Sequence, residues 1–251
     1  MNRSPAAFVP VPALAAFAAF AAAVAAVAAA ALLAAAAAAP ASAATLHVTV
    51  HGADGKPAAD AVVMVQPAPG LAAVVPAPTT VPIEQRDFRF VPYVAVVAPG
   101  GAIRFVNKDP FDHHIRTLPG GPLGSVAPVK TFEYRLAASG RSGDTSEAVK
   151  LDLPGSILLG CHLHGSMRGH VLVASSPWFA VTDDRGRARI EGLPEGAVDI
   201  KLWHPDQISE QAPQRLALGP SLGTEARLNF TPRRRPAPRV DPSYGPPGSR
   251  D

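Results

Sequence analysis

Apolar and polar residues alternate along much of the chain, and that alternation sets the expected elements. "LHVTVHG" puts Leu46, Val48 and Val50 on one face and His47, Thr49 and His51 on the other, the period of a half-buried strand. An "ADGKP" turn and "DAVVMVQ" follow, so a hairpin is predicted there. The stretch from Gln66 to Pro82 holds five prolines and reads as an extended connector. "YVAVVAPGGAIRFVN" predicts two strands around a Pro-Gly-Gly turn, and "KTFEYRL" and "EAVKLDL" predict shorter ones. "SILLGC" is apolar at successive positions, as in a centrally buried strand, and "GHVLVAS" adds another. "WFAVTDDRGRARIEGL" and "GAVDIKLWHP" repeat strand, turn and strand, and read as more of the first hairpin's sheet. Helical period is absent after residue 45, apart from a weak helical or turn segment within "PDQISEQAP". An all-β protein built from sandwiches is expected.

The N-terminus breaks this pattern. From Ala13 to Ala39 the chain is uninterruptedly apolar, Arg3 is the only charge before Asp54, and "PASAATL" offers an Ala-x-Ala cleavage pattern ending at Ala43. Residues 1–43 therefore read as a signal helix, and if uncleaved they are long enough to act as an inner-membrane anchor. Either outcome exports the rest to the periplasm, and a membrane is a partner only in the uncleaved case. The formal net charge of +3 does not belong to the expected folded part. Thr45 to Thr231 carry 17 basic and 18 acidic residues, which leaves no footprint for nucleic acid. Residues 232–251 hold five arginines and six prolines with little to bury, and are expected to be disordered.

An exported chain with one cysteine has no internal disulfide, so the thiol needs another explanation. Cys161 lies in "GCHLHGSMRGHVLV", where C-x-x-H-x-x-M gathers thiolate, imidazole and thioether within seven residues. Such soft and borderline donors suit copper far better than calcium or magnesium. A tight loop between "SILLGC" and "GHVLV" would let Cys161, His164 and Met167 converge. "FVNKDPFDHHIRTL" is a second strand end running into a loop, and either His113 or His114 can complete a His₂Cys plane with a long axial methionine. A zinc site from Cys161, His162, His164 and His170 is the competing arrangement, though it ignores Met167 and the second segment. His47, His51 and His204 read as surface or hydrogen-bonded residues, and Trp178 and Trp203 as core or interface aromatics.

These segments carry a resemblance. "RFVNKDPFDHHI" is similar to the first-ligand segment of plastocyanins and amicyanins, where an asparagine precedes the ligand histidine by six positions, as Asn107 precedes His113. "GCHLHGSMRGHVLV" resembles the amicyanin ligand loop. The resemblance covers residues 80–174 and implies a Greek-key cupredoxin domain. It implies one copper ion held by His113, Cys161 and His164 in the plane and Met167 on the axis, with His114 and Asn107 supporting them; the roles of His113 and His114 are open to reversal. Two departures stand out: His114 replaces the asparagine that many cupredoxins carry after the first histidine, and "HGSM" lacks the usual proline or acidic residue and aromatic.

"VTVHGADGKPAADAVVMV" and "AVTDDRGRARIEGLPEGAVDIKLW" resemble the two halves of a carboxypeptidase regulatory-like β-sandwich, of transthyretin type. Residues 45–68 plus 176–231 would form it, interrupted by the copper domain; two sequential domains or one continuous sandwich are the alternatives. Together the parts resemble plastocyanin-like proteins of the methylamine utilisation type. That implies an exported type 1 copper electron carrier, not an enzyme, docking transiently with a redox partner through His164 and an apolar rim of Pro110, Phe111 and Gly165. Copper storage or delivery is the alternative function.

Overall fold

A computed structural model describes residues 43–71, 75–121 and 124–233. The signal run before Ala43 and the tail beyond Arg233 lie outside the described residues. Within them every named element is a strand, and no α-helix occurs among the described residues; "PDQISEQAP" is turns and irregular chain.

Four sheets pair into two sandwiches. The first stacks a three-stranded sheet on a four-stranded one. Its three-stranded sheet places β1 (Ala43–His51) between β13 (Arg187–Pro194) and β16 (Ser221–Arg227), antiparallel to the former and parallel to the latter. The facing sheet runs β12 (Trp178–Val181), β2 (Val62–Pro67), β14 (Gly196–Trp203), β15 (Gln214–Leu218). Leu46, Val48 and Val50 meet Val63, Val65, Ile190, Val198, Ile200 and Trp178 in the core between them.

In the second sandwich a sheet ordered β4 (Arg89–Val91), β3 (Thr80–Arg86), β6 (Gly101–Asn107), β9 (Val149–Leu151) faces a five-stranded one. The latter runs β5 (Val94–Val97), β11 (Arg168–Val173), β10 (Gly155–Cys161), β7 (His113–Leu118), β8 (Glu133–Leu136). Its core gathers Ile83, Phe90, Phe105, Ile115, Ile157, Leu159 and Val171, with Cys161 and Met167 at one end. "SILLGC" is indeed the middle strand of five.

A third cluster forms the seam between the sandwiches. Val62 and Met64 of β2 pack on Val94 and Val96 of β5 and Leu172 of β11, with Tyr93, Phe179 and Trp203 at the margin. The neighbours of these residues along each strand, Val63, Val65, Ala95, Val97, Val171 and Val173, face the two cores instead. Strands buried on both faces read as continuous apolar runs, which is why "AVVMV", "VAVV" and "HVLV" do not alternate.

The expected hairpins are corrected. β1 and β2 share no ladder: β1 bonds β13 and β16, β2 bonds β12 and β14, and the "ADGKP" turn carries the chain from one sheet to the facing one. The eleven-residue step from His51 to Val62, pinned by a single bridge between His51 and Pro57, is too long for a tight hairpin. β12 and β13 likewise lie in opposite sheets, as do β5 and β6 across the Pro-Gly-Gly turn.

Candidate metal centre

The centre lies where three strand ends meet. β10 ends on Cys161, β7 begins on His113, and the loop from His162 to Met167 returns the chain into β11. The loop is closed by Met167 N–H donating to His164 C=O at 2.9 Å, and tied to β7 by His162 N–H donating to His114 C=O at 2.8 Å. β10 and β7 are already paired, Cys161 opposite Ile115, so the two segments are held in register by backbone bonds before any side chain contributes.

Three donor atoms converge. Cys161 Sγ is 3.6 Å from His113 Nδ1 and 3.4 Å from His164 Nδ1, and the two Nδ1 atoms are 3.1 Å apart. His113 is 0% exposed and Cys161 4%, while His164 is half-buried. Met167, 1% exposed, belongs to the same core cluster as Cys161. Two imidazole nitrogens this close need a proton or a cation between them, since two bare lone pairs would otherwise face each other in a buried site. The point equidistant from the three atoms, the circumcentre of a triangle with these sides, lies about 2.0 Å from each, near the bonding distance of a small transition metal to nitrogen and slightly short for sulfur. The donor set thus fits such an ion in both chemistry and spacing.

His113 is the histidine that turns its imidazole to the sulfur. Adjacent residues on a strand point to opposite faces, so His114 cannot follow it. The His114 ring instead pairs with Glu133 at 2.7 Å and lies 5.6 Å from the His162 ring. Its contribution is through the backbone: the N–H donates to Cys161 Sγ at 3.4 Å and the C=O takes the bond from His162. A main-chain tie between the two loops therefore exists without the asparagine side chain expected at that position.

Asn107 touches neither the sulfur nor the imidazoles. Wholly buried, it donates to Phe111 C=O at 2.8 Å and Ala137 C=O at 2.7 Å, and its Oδ1 accepts from Asp109 N–H at 2.9 Å. It shapes the loop that delivers Asp109. Sequence reasoning missed that residue. Asp109, 4% exposed, accepts a 2.8 Å bond from His113 Nε2–H, which fixes the tautomer and leaves Nδ1 with its lone pair towards the sulfur. The four-residue spacing to His113 was the only signal, and a weak one.

The charges follow. Burial pushes the Asp109 carboxyl up, but hydrogen bonds from His113 and from the Asp87 and Phe88 amides bring it below its usual value. Burial depresses His113, and the Asp109 and Cys161 partners raise it above its usual value. The Cys161 thiol is raised by burial but lowered more by His113 and by amide donors from His114 and His164, ending below its usual value. Burial and the neighbouring His113 both lower His164. A thiol shifted in this direction beside two imidazoles is a donor set that suits a soft cation.

The competing zinc set does not assemble. His162 is exposed, and His170 sits at the seam with its Nε2 3.2 Å from Tyr93 Oη and its ring 6.3 Å from Trp203. His47 is exposed, His51 Nδ1 lies 3.2 Å from Gly55 C=O, and His204 Nε2 lies 3.2 Å from Ala59 C=O. Trp178 fills the first core. Of the expected rim, Pro110 and Gly165 are exposed and Phe111 is half-buried, its ring 5.4 Å from that of His164. Phe88, not anticipated, lies 4.9 Å from the same ring.

No protein-family model matches the chain, and no curated protein matches it in sequence. Solved structures similar to part of it include a Cu-containing nitrite reductase from Thermus scotoductus SA-01, at 23% identity and TM-score 0.32 over 43% of this chain and 25% of that one. The chain thus spans about a quarter of the reductase's length. Amicyanin from Paracoccus versutus is similar at 18% identity and TM-score 0.30, covering 41% of this chain and 97% of that one. A Sinorhizobium pseudoazurin is similar at 23% identity and TM-score 0.28, covering 39% and 76%.

Proposed function

We propose that the chain is an exported single-copper electron carrier of the cupredoxin type, in which His113, Cys161, His164 and Met167 would hold the ion. The supporting observation is the closed triangle of two Nδ1 atoms and one Sγ, drawn from two distant segments and walled by buried Met167. A copper ion held there supplies a one-electron couple.

The chain's own groups do the rest. Asp109 holds the His113 ring in one tautomer, and the His114 and His164 amides donate to the sulfur and stabilise it as thiolate. Backbone bonds on both sides of the loop keep the donors in place, so little moves when the charge changes. His113, Cys161 and Met167 are shut off from water, which leaves the half-buried His164 as the route for an electron to a transiently docked partner. We read residues 80–174 as the copper domain, and residues 45–68 with 176–231 as a carboxypeptidase regulatory-like sandwich around it. Ladders joining β1 to β13 and β16 support that reading. The N-terminal apolar run supports export to the periplasm.

Adding Cu(II) to the purified chain tests this. An intense visible thiolate band, lost in Cys161→Ser, is the expected result. A colourless adduct that gives up Cu(I) to a chelator would instead mark storage or delivery, and zinc in the isolated protein would overturn copper altogether.

A further inference from the structure

If copper is held as proposed, its way in is narrow. His113, Cys161 and Met167 are all buried, so an ion must pass beside His164. Two rings lie over that side. Phe88 and Phe111 stack with centroids 4.5 Å apart and planes 24° from parallel, and each meets the His164 ring edge-on, at 4.9 and 5.4 Å.

Phe88 is put there at a conformational cost. Arg86 pairs with Arg89, so Asp87 and Phe88 form a two-residue hairpin turn between β3 and β4, with φ of 52° and 57°. A turn of this kind normally takes Asn-Gly or Asp-Gly, and a phenylalanine in the left-handed region is a rare choice. The Asp109 carboxylate holds the turn, accepting from Asp87 N–H at 2.7 Å and Phe88 N–H at 3.3 Å. The same carboxylate accepts the His113 Nε2 proton. Two residues on, Phe90 is buried against Gly169, where an added Cβ would come within 2.8 Å of it, so the hairpin's base is seated tightly on β11. A strained backbone kept by surrounding structure marks a position with a task.

We propose that Phe88 is the cover through which copper enters and leaves, with Asp109 as the latch that ties the covering turn to the buried ligand. The ring closes the His164 side of the centre, and Phe111 supports it from the other loop. Because Asp109 bonds both the turn and His113, lifting the cover also loosens the histidine that must accept the ion.

Rates of copper transfer test this in the full chain. Phe88→Gly suits the left-handed turn and removes the ring. Cu(II) uptake, followed by growth of the thiolate band, and Cu(I) removal by a bathocuproine chelator should both quicken by about two- to tenfold, the rate factor for losing one aromatic pair. The band position should stay put. Phe111→Ala, which leaves the turn intact, should quicken both to a lesser degree, and Leu153→Ala, an exposed apolar residue outside the centre, should change neither. Wild-type rates in Phe88→Gly and Phe111→Ala, with the band intact, would overturn the cover while leaving the copper reading standing. Absence of a thiolate band in every form of the protein would overturn both.

Discussion

His113 and His170 lie on strands of the same five-stranded sheet, both largely withdrawn from water, and their environments push them in opposite directions. His113 has the Asp109 carboxylate on one nitrogen and the Cys161 sulfur near the other, and its pKa is raised despite burial. His170 faces Tyr93 and Trp203 in an apolar seam, where burial drives it down to about 4. Asp206 pulls it back up, while His204 and Arg233 add to the depression. The chemistry of a buried imidazole is decided by what faces each nitrogen, and depth alone says little. One ring faces a sulfur and a second imidazole; the other is packing with a polar edge.

Three experiments would sharpen or break this contrast. Removing the partner of His113 should have the largest effect. Asp109→Ala strips a buried ionic hydrogen bond and frees two turn amides, for which a loss of about 3–5 kcal/mol in unfolding free energy is expected. Copper affinity should fall about 10- to 100-fold in a titration, as when an orienting partner of a metal ligand is deleted. Unchanged stability and affinity would mean that Asp109 is not the group that sets His113 apart.

Acid should act next, and on the other histidine. His170 has a folded pKa far below its ordinary value of 6.5, so its contribution to stability is complete above about pH 6.5 and is lost as pH falls towards 4. The loss amounts to at most about 3 kcal/mol for a shift of this size. Urea titrations across that window should show His170→Phe losing less stability than the wild type; equal slopes would place the acid-sensitive group elsewhere. The smallest effect belongs to an exposed pair. Arg215 meets Asp199 at 3.0 Å on the edge strand, and Arg215→Ala should leave the melting temperature unchanged within error.

Much of this molecule was legible in the order of its residues, and the gaps have physical causes. Alternation marked β1 and β13, because each strand shows one face to a core and one to solvent. Pairing was misread, because a turn looks the same whether the chain returns within a sheet or crosses to the facing one. β15 and β16 escaped notice because "QRLAL" and "SLGTEAR" bury few side chains. The ring that reaches the sulfur could be either of two consecutive histidines in the sequence, and only the register of β7 against β10 separates them. Asp109 and Phe88 were the hardest to foresee: Asp109 acts through a loop shape fixed by Asn107 and leaves only its four-residue spacing from His113, and Phe88 acts through an unusual turn that leaves no pattern along the chain.

The strands with no solvent face, β2, β5 and β11, give the two sandwiches a common fate. Each contributes side chains to a core on one side and to the shared seam on the other, so melting either half strips cover from the other. Calorimetry should therefore record one transition where the sequence would suggest two. An engineer who excised the ligand-bearing half for transplantation would carry along a bare patch of Val94, Val96 and Leu172, and would need to repaint it with polar residues before the fragment stayed in solution.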